Sequence, residues 1–549
     1  MRRRHIAAEP DRGAESCPVR LRKSSRDEST LFSPPSLFSR KEFPFMAKER
    51  IENLSGILGL IERAGNRLPH PVTIFVLLTF IVMLLSWLFQ GVSMVDPKGR
   101  TLVVQSLVSA DGLIWLLKNC VKNFVDFKPL GLVLVMMMGL GVAEEVGLLS
   151  AVLRGTILSA PRGMVTAIIA FCGVMGNMAS SAAFVVVPPL GAMIFKGLGR
   201  NPLAGMAAGF AGCAAGLNAN LLVVGTDVGL AAITQQAAQI LDPAITVHPA
   251  VNWYFMSAST FLLTGLIVFI TDKFLEPRLA GMDMHEGAME AEDMSLTPLE
   301  RRGLRWALIG CVVYLLLILA TVVPEHGILR DPKNFTIVPS PFLDSLVPIL
   351  FGFFLALALP YGAATGVIRS DKDVVRFMSK AMREFAPFIV LCFAAGQFVS
   401  SFSYTHLDMF LSIKGAAFLK DTGFSGIPLI ICFLVLTACI NFFIGSAMAK
   451  WALLAPIFVP MLMQMQYSPY FIQAAYRIAD STTNAISPLE PFMAFVIGVA
   501  QKYAKNVGLG TIISLMLPFA LGILIVWGLF LIIWMELGIP LGPGAPVYM

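Results

Sequence analysis

Long apolar runs separated by short polar intervals set the pattern of this chain. Residues 71–90 are apolar and, at about 1.5 Å of rise per helical residue, long enough to cross roughly 30 Å of hydrocarbon. Residues 113–149 hold one span or a bent pair and end near Glu144-Glu145, acids that read as an interfacial helix end. Further spans are expected at 253–270, 306–323 and 342–359, with apolar runs near 388–400, 427–440, 493–500 and 511–534. The polar intervals differ in charge. Residues 92–111 carry few positive groups, 272–305 is the most charged loop, and Thr297-Pro298-Leu299-Glu300 within it resembles a capping box. Arg369, Lys372, Arg376, Lys380 and Arg383 make a second basic interval. The fold class expected is an all-α polytopic membrane protein.

Between 161 and 240 the pattern changes to glycine, alanine and serine broken by proline. Small residues let helices approach closely in lipid, so density alone means packing. Comparison with 427–503 says more. A constant offset of 267 residues carries Phe184 to Trp451, Pro189 to Pro456, Pro202 to Pro469, Ala182 to Ala449 and Ala207-Ala208 to Ala474-Ala475. Two prolines and an aromatic at fixed spacing indicate an internal repeat. Segments around Asn177 to Ser181 and Asn441 to Ser446 are then expected at the tips of two re-entrant helical hairpins, and Asn218, Asn220, Thr226 and Asp227 follow the first as the polar run 477–484 follows the second.

The most unusual stretch is 441–491. It places Lys450, Arg477, Asp480 and Glu490 at membrane depth, with Pro456, Pro460, Pro469, Pro488 and Pro491 and a run of hydroxyls and amides. A charge in hydrocarbon costs roughly 2.5–3.5 kcal/mol on insertion scales, so it persists where it faces a cavity, is paired, or works. Ser468-Pro469 is a helix start with a capping hydroxyl and a proline where no N–H is needed. Arg477 and Asp480 fall three apart on the helix that follows, and Pro488 discourages helix at Ser487. A half-helix broken near the midplane is a transporter's way of building a site. Arg477 offers a planar fork to a carboxylate and Trp451 a face for an aryl ring, while Asp480 can carry a proton. The alternative is a static Arg477–Asp480 ion pair beside a packing tryptophan.

Composition agrees with this class. Of 549 residues, 56% are hydrophobic and 14% charged, against about 25% charged in soluble domains. The net charge of +6 is a topology signal and implies no nucleic acid: with 278–305, 369–383 and 502–505 inside, the N-terminus is inside and the uncharged tail 538–549 outside. The eight cysteines form no CxxC pair and imply neither disulfides nor zinc, and His70 reads as interfacial. Residues 1–45 lack a signal peptide's apolar core and are expected to be disordered or a mis-assigned N-terminal extension; 46–70 reads as a cytoplasmic amphipathic segment preceding the transporter unit 71–537.

The stretches NFFIGSAMAKWALLAPIFVPML, AAYRIADSTTNAISP, GLGRNPLAGMAAGFAG and GLAAITQQAAQI resemble the p-aminobenzoyl-glutamate transporter (AbgT) family, over 46–537. The resemblance implies a homodimer in the bacterial inner membrane, each protomer with about nine transmembrane helices and two re-entrant hairpins in an inverted repeat. It implies transport of p-aminobenzoyl-glutamate or related aryl compounds on a cation gradient, some members exporting sulfonamide antimetabolites. The family's site residues fall on Trp451, Pro469, Arg477, Asp480 and Pro488, with Ser446 and Asn441 at the second tip. Two positions depart from the family pattern, Met448 standing for a serine and Ser181 for an acid. No enzyme cofactor is expected. A bound Na⁺ would take its oxygens from Asn177, Ser181 and Asn441, but Lys450 disfavours it, since like unit charges about 6 Å apart repel by roughly 2.8 kcal/mol at an effective dielectric of 20. Lys450 either reaches the interface or points in and replaces the ion; protons are then the expected driving cation. The competing classes are a sodium-coupled dicarboxylate carrier, a channel, and an intramembrane lipid-modifying enzyme, for which no HExxH or supported GxSxG exists.

Overall fold

The computed structural model describes residues 69–95, 99–179, 181–279, 295–505 and 507–549, all within one compact unit, Gly56–Met549. The expectations for 1–45 and nearly all of 46–70 lie outside the described residues. His70 is the N-cap of the first described helix, α1 (Pro71–Leu88), where its Nδ1 accepts from the Val72 amide at 3.3 Å. A short antiparallel ribbon, β1 (Ser93–Val95) and β2 (Thr101–Val103), follows it.

The run 113–149 is the bent pair. α2 (Ala110–Val125) stops at Asp126, Phe127 is extended, and α3 (Lys128–Glu145) restarts with Pro129 in its first turn, where proline is tolerated. α4 (Leu148–Leu158) leads to the first hairpin: α5 (Val165–Val174), a 3₁₀ turn Met175–Ala179, and α6 (Ser181–Gly197), which contains Pro188 and Pro189. α7 (Pro202–Ala215) begins on the Asn201 cap, whose Oδ1 accepts from Leu203 N at 2.9 Å; an unwound stretch then runs to α8 (Gly225–Ala238). α9 (Trp253–Phe269) extends through a π turn to Leu279. α10 (Pro298–Val322) starts on the expected capping box: Thr297 Oγ1 accepts from Glu300 N at 3.2 Å, and Glu300 Oε2 accepts from Thr297 N at 2.8 Å. α11 (Leu346–Thr365), the amphipathic surface helix α12 (Asp371–Glu384), α13 (Ala386–Tyr404) and α14 (Leu407–Asp421) follow. The second hairpin is α15 (Gly426–Asn441) and α16 (Ala447–Met463), then come α17 (Pro469–Thr482), α18 (Met493–Gln501) and α19 (Leu509–Glu536).

The repeat is structural. Both ends of α17 lie 267 residues beyond those of α7, and the last residues of α5 and α15 share that offset. Two stretches that the sequence left open are settled by the structure. The run 493–500 is the nine-residue α18, about 14 Å long and too short to span. Residues 401–426, where no apolar run was read, hold α14, whose mixed polarity hid it. Among the described residues eight helices have the length and hydropathy of a membrane span, compared with about nine expected, and the hairpin arms α6, α15 and α16 are shorter apolar helices.

Close packing of the first repeat rests on glycine. A Cβ on Gly212 would lie 2.7 Å from Gly173 Cα, and one on Gly209 3.1 Å from Pro188 Cα, so α5 and α6 meet α7 almost backbone to backbone. The tail from Gly538 folds back on the second repeat. Ser468, the N-cap of α17, donates its backbone N–H to Val547 O at 2.9 Å and its hydroxyl to Pro546 O at 2.5 Å. The start of α17 is thus held from outside its own helix.

Candidate functional site

The core of the site forms where the unwound stretch after α7 crosses the last turn of α17. Arg477 is 1% exposed. Its Nη2 donates to Asp227 Oδ1 at 2.5 Å and to Asn218 O at 2.8 Å, while Nε has no partner among the described residues. Asp227 sits in the first turn of α8, and its Oδ2 accepts from Val224 N at 2.7 Å, so one carboxylate caps a helix and neutralises Arg477. A negative group at a helix N-terminus is favoured by the helix dipole.

Asp480, fully buried, does not face Arg477. Its Oδ1 pairs with Lys450 Nζ at 2.5 Å and lies 3.2 Å from Tyr476 Oη, and its Oδ2 accepts from Asn218 Nδ2 at 2.9 Å. The static Arg477–Asp480 pair considered from sequence is therefore wrong: helical spacing of three puts two side chains on one face, but stronger partners arrive from α8 and α16. Lys450 points in, not to the interface. It is 0% exposed and also donates to Asn441 Oδ1, while Asn441 Nδ2 lies 2.8 Å from Asp480 O and 2.7 Å from Thr483 Oγ1. Two opposite pairs, Arg477–Asp227 and Lys450–Asp480, are bridged by Asn218, which keeps one amide oxygen unpartnered. Burying four charges is tolerable because each carries an opposite partner and further hydrogen bonds.

Trp451 is 0% exposed. Its Nε1 donates to Thr234 Oγ1 on α8 at 2.8 Å and its ring stacks on Tyr476, centroids 4.3 Å apart. Tyr476 Oη in turn donates to Ala447 O at 2.5 Å. One face of α17 thus carries an aromatic stack, a guanidinium and a carboxylate, all drawn together by α8 and α16. Pro469 is buried at the start of α17, as expected. Ser446 is exposed and serves as N-cap of α16, its Oγ accepting from Ala449 N at 3.3 Å. Pro488 is half-buried beyond the 3₁₀ turn Asn484–Ile486, and a Cβ on Gly445 at the hairpin tip would lie 3.6 Å from Leu489 O, so the tip rests on that segment.

The three residues considered for Na⁺ are each engaged with a different partner. Asn177 Nδ2 donates to Thr226 Oγ1 at 3.1 Å, Ser181 Oγ donates to Glu144 Oε1 at 2.7 Å, and the Asn441 oxygen takes the Lys450 ammonium. Glu144 and Glu145 end α3, in line with a helix-end role; Glu144 also accepts from the Ser181 hydroxyl of the first tip, and Glu145 pairs with Lys380 at 2.5 Å. Among the described residues no group of three or more His, Cys, Asp and Glu side chains is gathered as for a metal. Asp227, Asn218 and Thr234 contact Arg477, Asp480 and Trp451, and the sequence reading gave them no role. The signal was there in the polar run after the first hairpin, but only the fold shows that it meets the second.

The sequence model of the AbgT transporter family matches residues 56–549. The chain belongs to the AbgT transporter family. It is 40% identical over 491 residues to the p-aminobenzoyl-glutamate transport protein of Escherichia coli (strain K12), covering 89% of this chain and 96% of the relative. Its fold is similar to the YdaH transporter of Alcanivorax borkumensis, whose topology is described as unusual, at a TM-score of 0.83 and 40% identity, over 86% of this chain and 100% of that one. MtrF of Neisseria gonorrhoeae, described within a class of antimetabolite efflux pumps, matches at 0.84 and 43%, over 89% and 100%. Like the rest of the family, this chain is a multi-pass membrane transporter.

Proposed function

We propose that the protein carries p-aminobenzoyl-glutamate or related aryl compounds, including sulfonamide antimetabolites, across the bacterial inner membrane as a homodimer, driven by protons. The names of its relatives support the substrate class. The observation that carries the reading is the state of Arg477: a buried guanidinium held by a single carboxylate, with Nε free of any partner among the described residues. An incoming carboxylate displaces Asp227 and takes the fork bidentately, while the aryl ring stacks beside Trp451 and Tyr476. Asp480, with Lys450 in place of a metal cation, is the proton carrier, so sodium is not needed.

Uptake of labelled p-aminobenzoyl-glutamate into proteoliposomes, with and without a pH gradient, tests this. The gradient should be required for concentrative uptake, and Arg477→Lys should weaken substrate affinity although charge is retained, because an ammonium cannot reproduce the fork. Normal affinity in that variant would remove Arg477 from the substrate.

A further inference from the structure

A second aromatic site lies outside this core. A cavity of about 460 Å³ opens between α2, α13 and the last turn of α8. That volume lies within the usual range for small-molecule sites. Its aromatic wall is Trp115 stacked on Tyr404, centroids 4.2 Å apart and planes 19° from parallel. Further along α2, about two and three helical turns from Trp115, stand Lys122 and Asp126, both exposed, and neither makes an ion pair among the described residues. The two helices that carry the rings are fixed to each other by amides: Asn123 Nδ2 donates to Gln397 Oε1 at 3.1 Å, and Gln397 Nε2 donates to Cys120 O at 2.7 Å.

The cavity's place in the fold gives it meaning. The far end of α3 pairs with α12 through Glu145 and Lys380, so the basic helix marks one membrane face, and Trp115 and Tyr404, at the other ends of α2–α3 and α13, mark the opposite one. α8 separates cavity from core. Its Thr234 faces Trp451, and Gln236, about 200° around the helix, lines the cavity. Asp227, the partner of Arg477, lies on the same helix.

We propose that this cavity is a second binding site for aryl carboxylates, a staging site at the membrane face away from the basic loops, where the ring stacks on Trp115 and Tyr404 and the carboxylate meets Lys122. The ligand class rests on the proposed function; the site itself rests on its own residues. α8 then carries a group from each site, and a ligand moves from one of its faces to the other.

The test is equilibrium titration of the detergent-purified full chain with p-aminobenzoyl-glutamate by calorimetry. Two sites per protomer are expected. Trp115→Leu should weaken one of them about tenfold through loss of ring stacking, and Lys122→Gln, at an exposed position where folding is not at stake, should weaken the same one and leave the other alone. Arg477→Lys should weaken only the second. A single site, lost in Arg477→Lys and unchanged in both α2 variants, would mean an interfacial aromatic belt only and overturn the staging site while leaving the proposed function standing. A single site sensitive to Trp115 and Lys122 but indifferent to Arg477 would uphold the cavity and sink the reading of the core.

Discussion

Replacing Lys450 by methionine keeps most of the side chain's apolar length and removes only its charge, so it isolates the ammonium that sits on Asp480. At 2.5 Å the two charges attract by about 6.6 kcal/mol at an effective dielectric of 20. The desolvation of both groups offsets part of that, and breaking one side of a buried pair costs about 3–5 kcal/mol in practice. Asp480 retains the Asn218 amide at 2.9 Å, which places the expected loss near the lower end, about 3 kcal/mol. Thermal unfolding in detergent reads this as a melting temperature several degrees lower. Lys450→Met combined with Asp480→Asn should recover most of the loss, since an amide leaves no stranded charge.

The same variant tests what the ammonium replaces. With Lys450 gone, Asp480 and the Asn441 oxygen face a space left without a cation, and Na⁺ should stabilise the variant. A ligand at one hundred times its dissociation constant contributes about 2.7 kcal/mol, nearly the whole loss. Exchange of choline for sodium should therefore raise the variant's melting temperature and leave the parent's unchanged. A loss below about 1 kcal/mol, additive with Asp480→Asn, would refute the pair; a variant indifferent to sodium would refute the idea that the ammonium stands for a metal ion.

Three further outcomes follow from the same geometry. Asp480→Asn should abolish gradient-driven accumulation while exchange down a substrate gradient persists, and undiminished concentrative uptake would assign Asp480 to structure alone. Uptake by the parent should not change when external sodium is replaced at fixed pH and membrane potential; a steep dependence would contradict a resident ammonium. Gly205→Ala should destabilise by about 1–3 kcal/mol or more, because its Cβ would strike the Gly191 carbonyl and come within 2.6 Å of the Phe195 ring, whereas Gly498→Ala, with nothing within 4 Å, should be neutral or slightly stabilising by melting temperature.

The sequence made the hairpins and the repeat legible because both leave local marks: proline at helix starts, small residues where helices meet, and polar groups where apolar ones were due. Ser468, Asn201 and Thr297 cap the helices that their neighbours announced. Pairing was not legible in the same way. Arg477 and Asp480 are neighbours in sequence and share a helix face, yet each finds its partner elsewhere, Asp227 from 250 residues upstream and Lys450 from the hairpin. A one-dimensional spacing rule gives which groups can meet; a buried charge takes whichever partner the packing desolvates it against. α14 was missed for a related reason, since its face toward the core includes Asp408 and Ser412 and so breaks the apolar pattern.

The two repeats share a backbone plan but divide the labour. At the fixed offset, Lys450, Tyr476, Arg477 and Asp480 of the second repeat stand where the first has Ala183, Gly209, Phe210 and Cys213. The first repeat spends those positions on contact: a Cβ on Gly176 would lie 2.6 Å from Ala183 Cβ and 3.4 Å from Cys213 Sγ, so alanine and cysteine fill the space that an ion pair fills in the other half. Its glycines bring α5 and α6 down onto α7, leaving no room for a long side chain. The second repeat accepts a wider gap between α16 and α17 and closes it with Tyr476, Trp451 and the Lys450–Asp480 pair. The first repeat still reaches the site, but through the unwound stretch and α8, which deliver Asn218, Asp227 and Thr234. A site assembled this way has one tightly packed hairpin and one held partly by charges. On the proposed function, protonation of Asp480 would act on the second hairpin through Lys450, and an incoming carboxylate would act on α8 of the first repeat through Asp227. Of the two hairpins, the second is the one whose packing includes a buried ion pair.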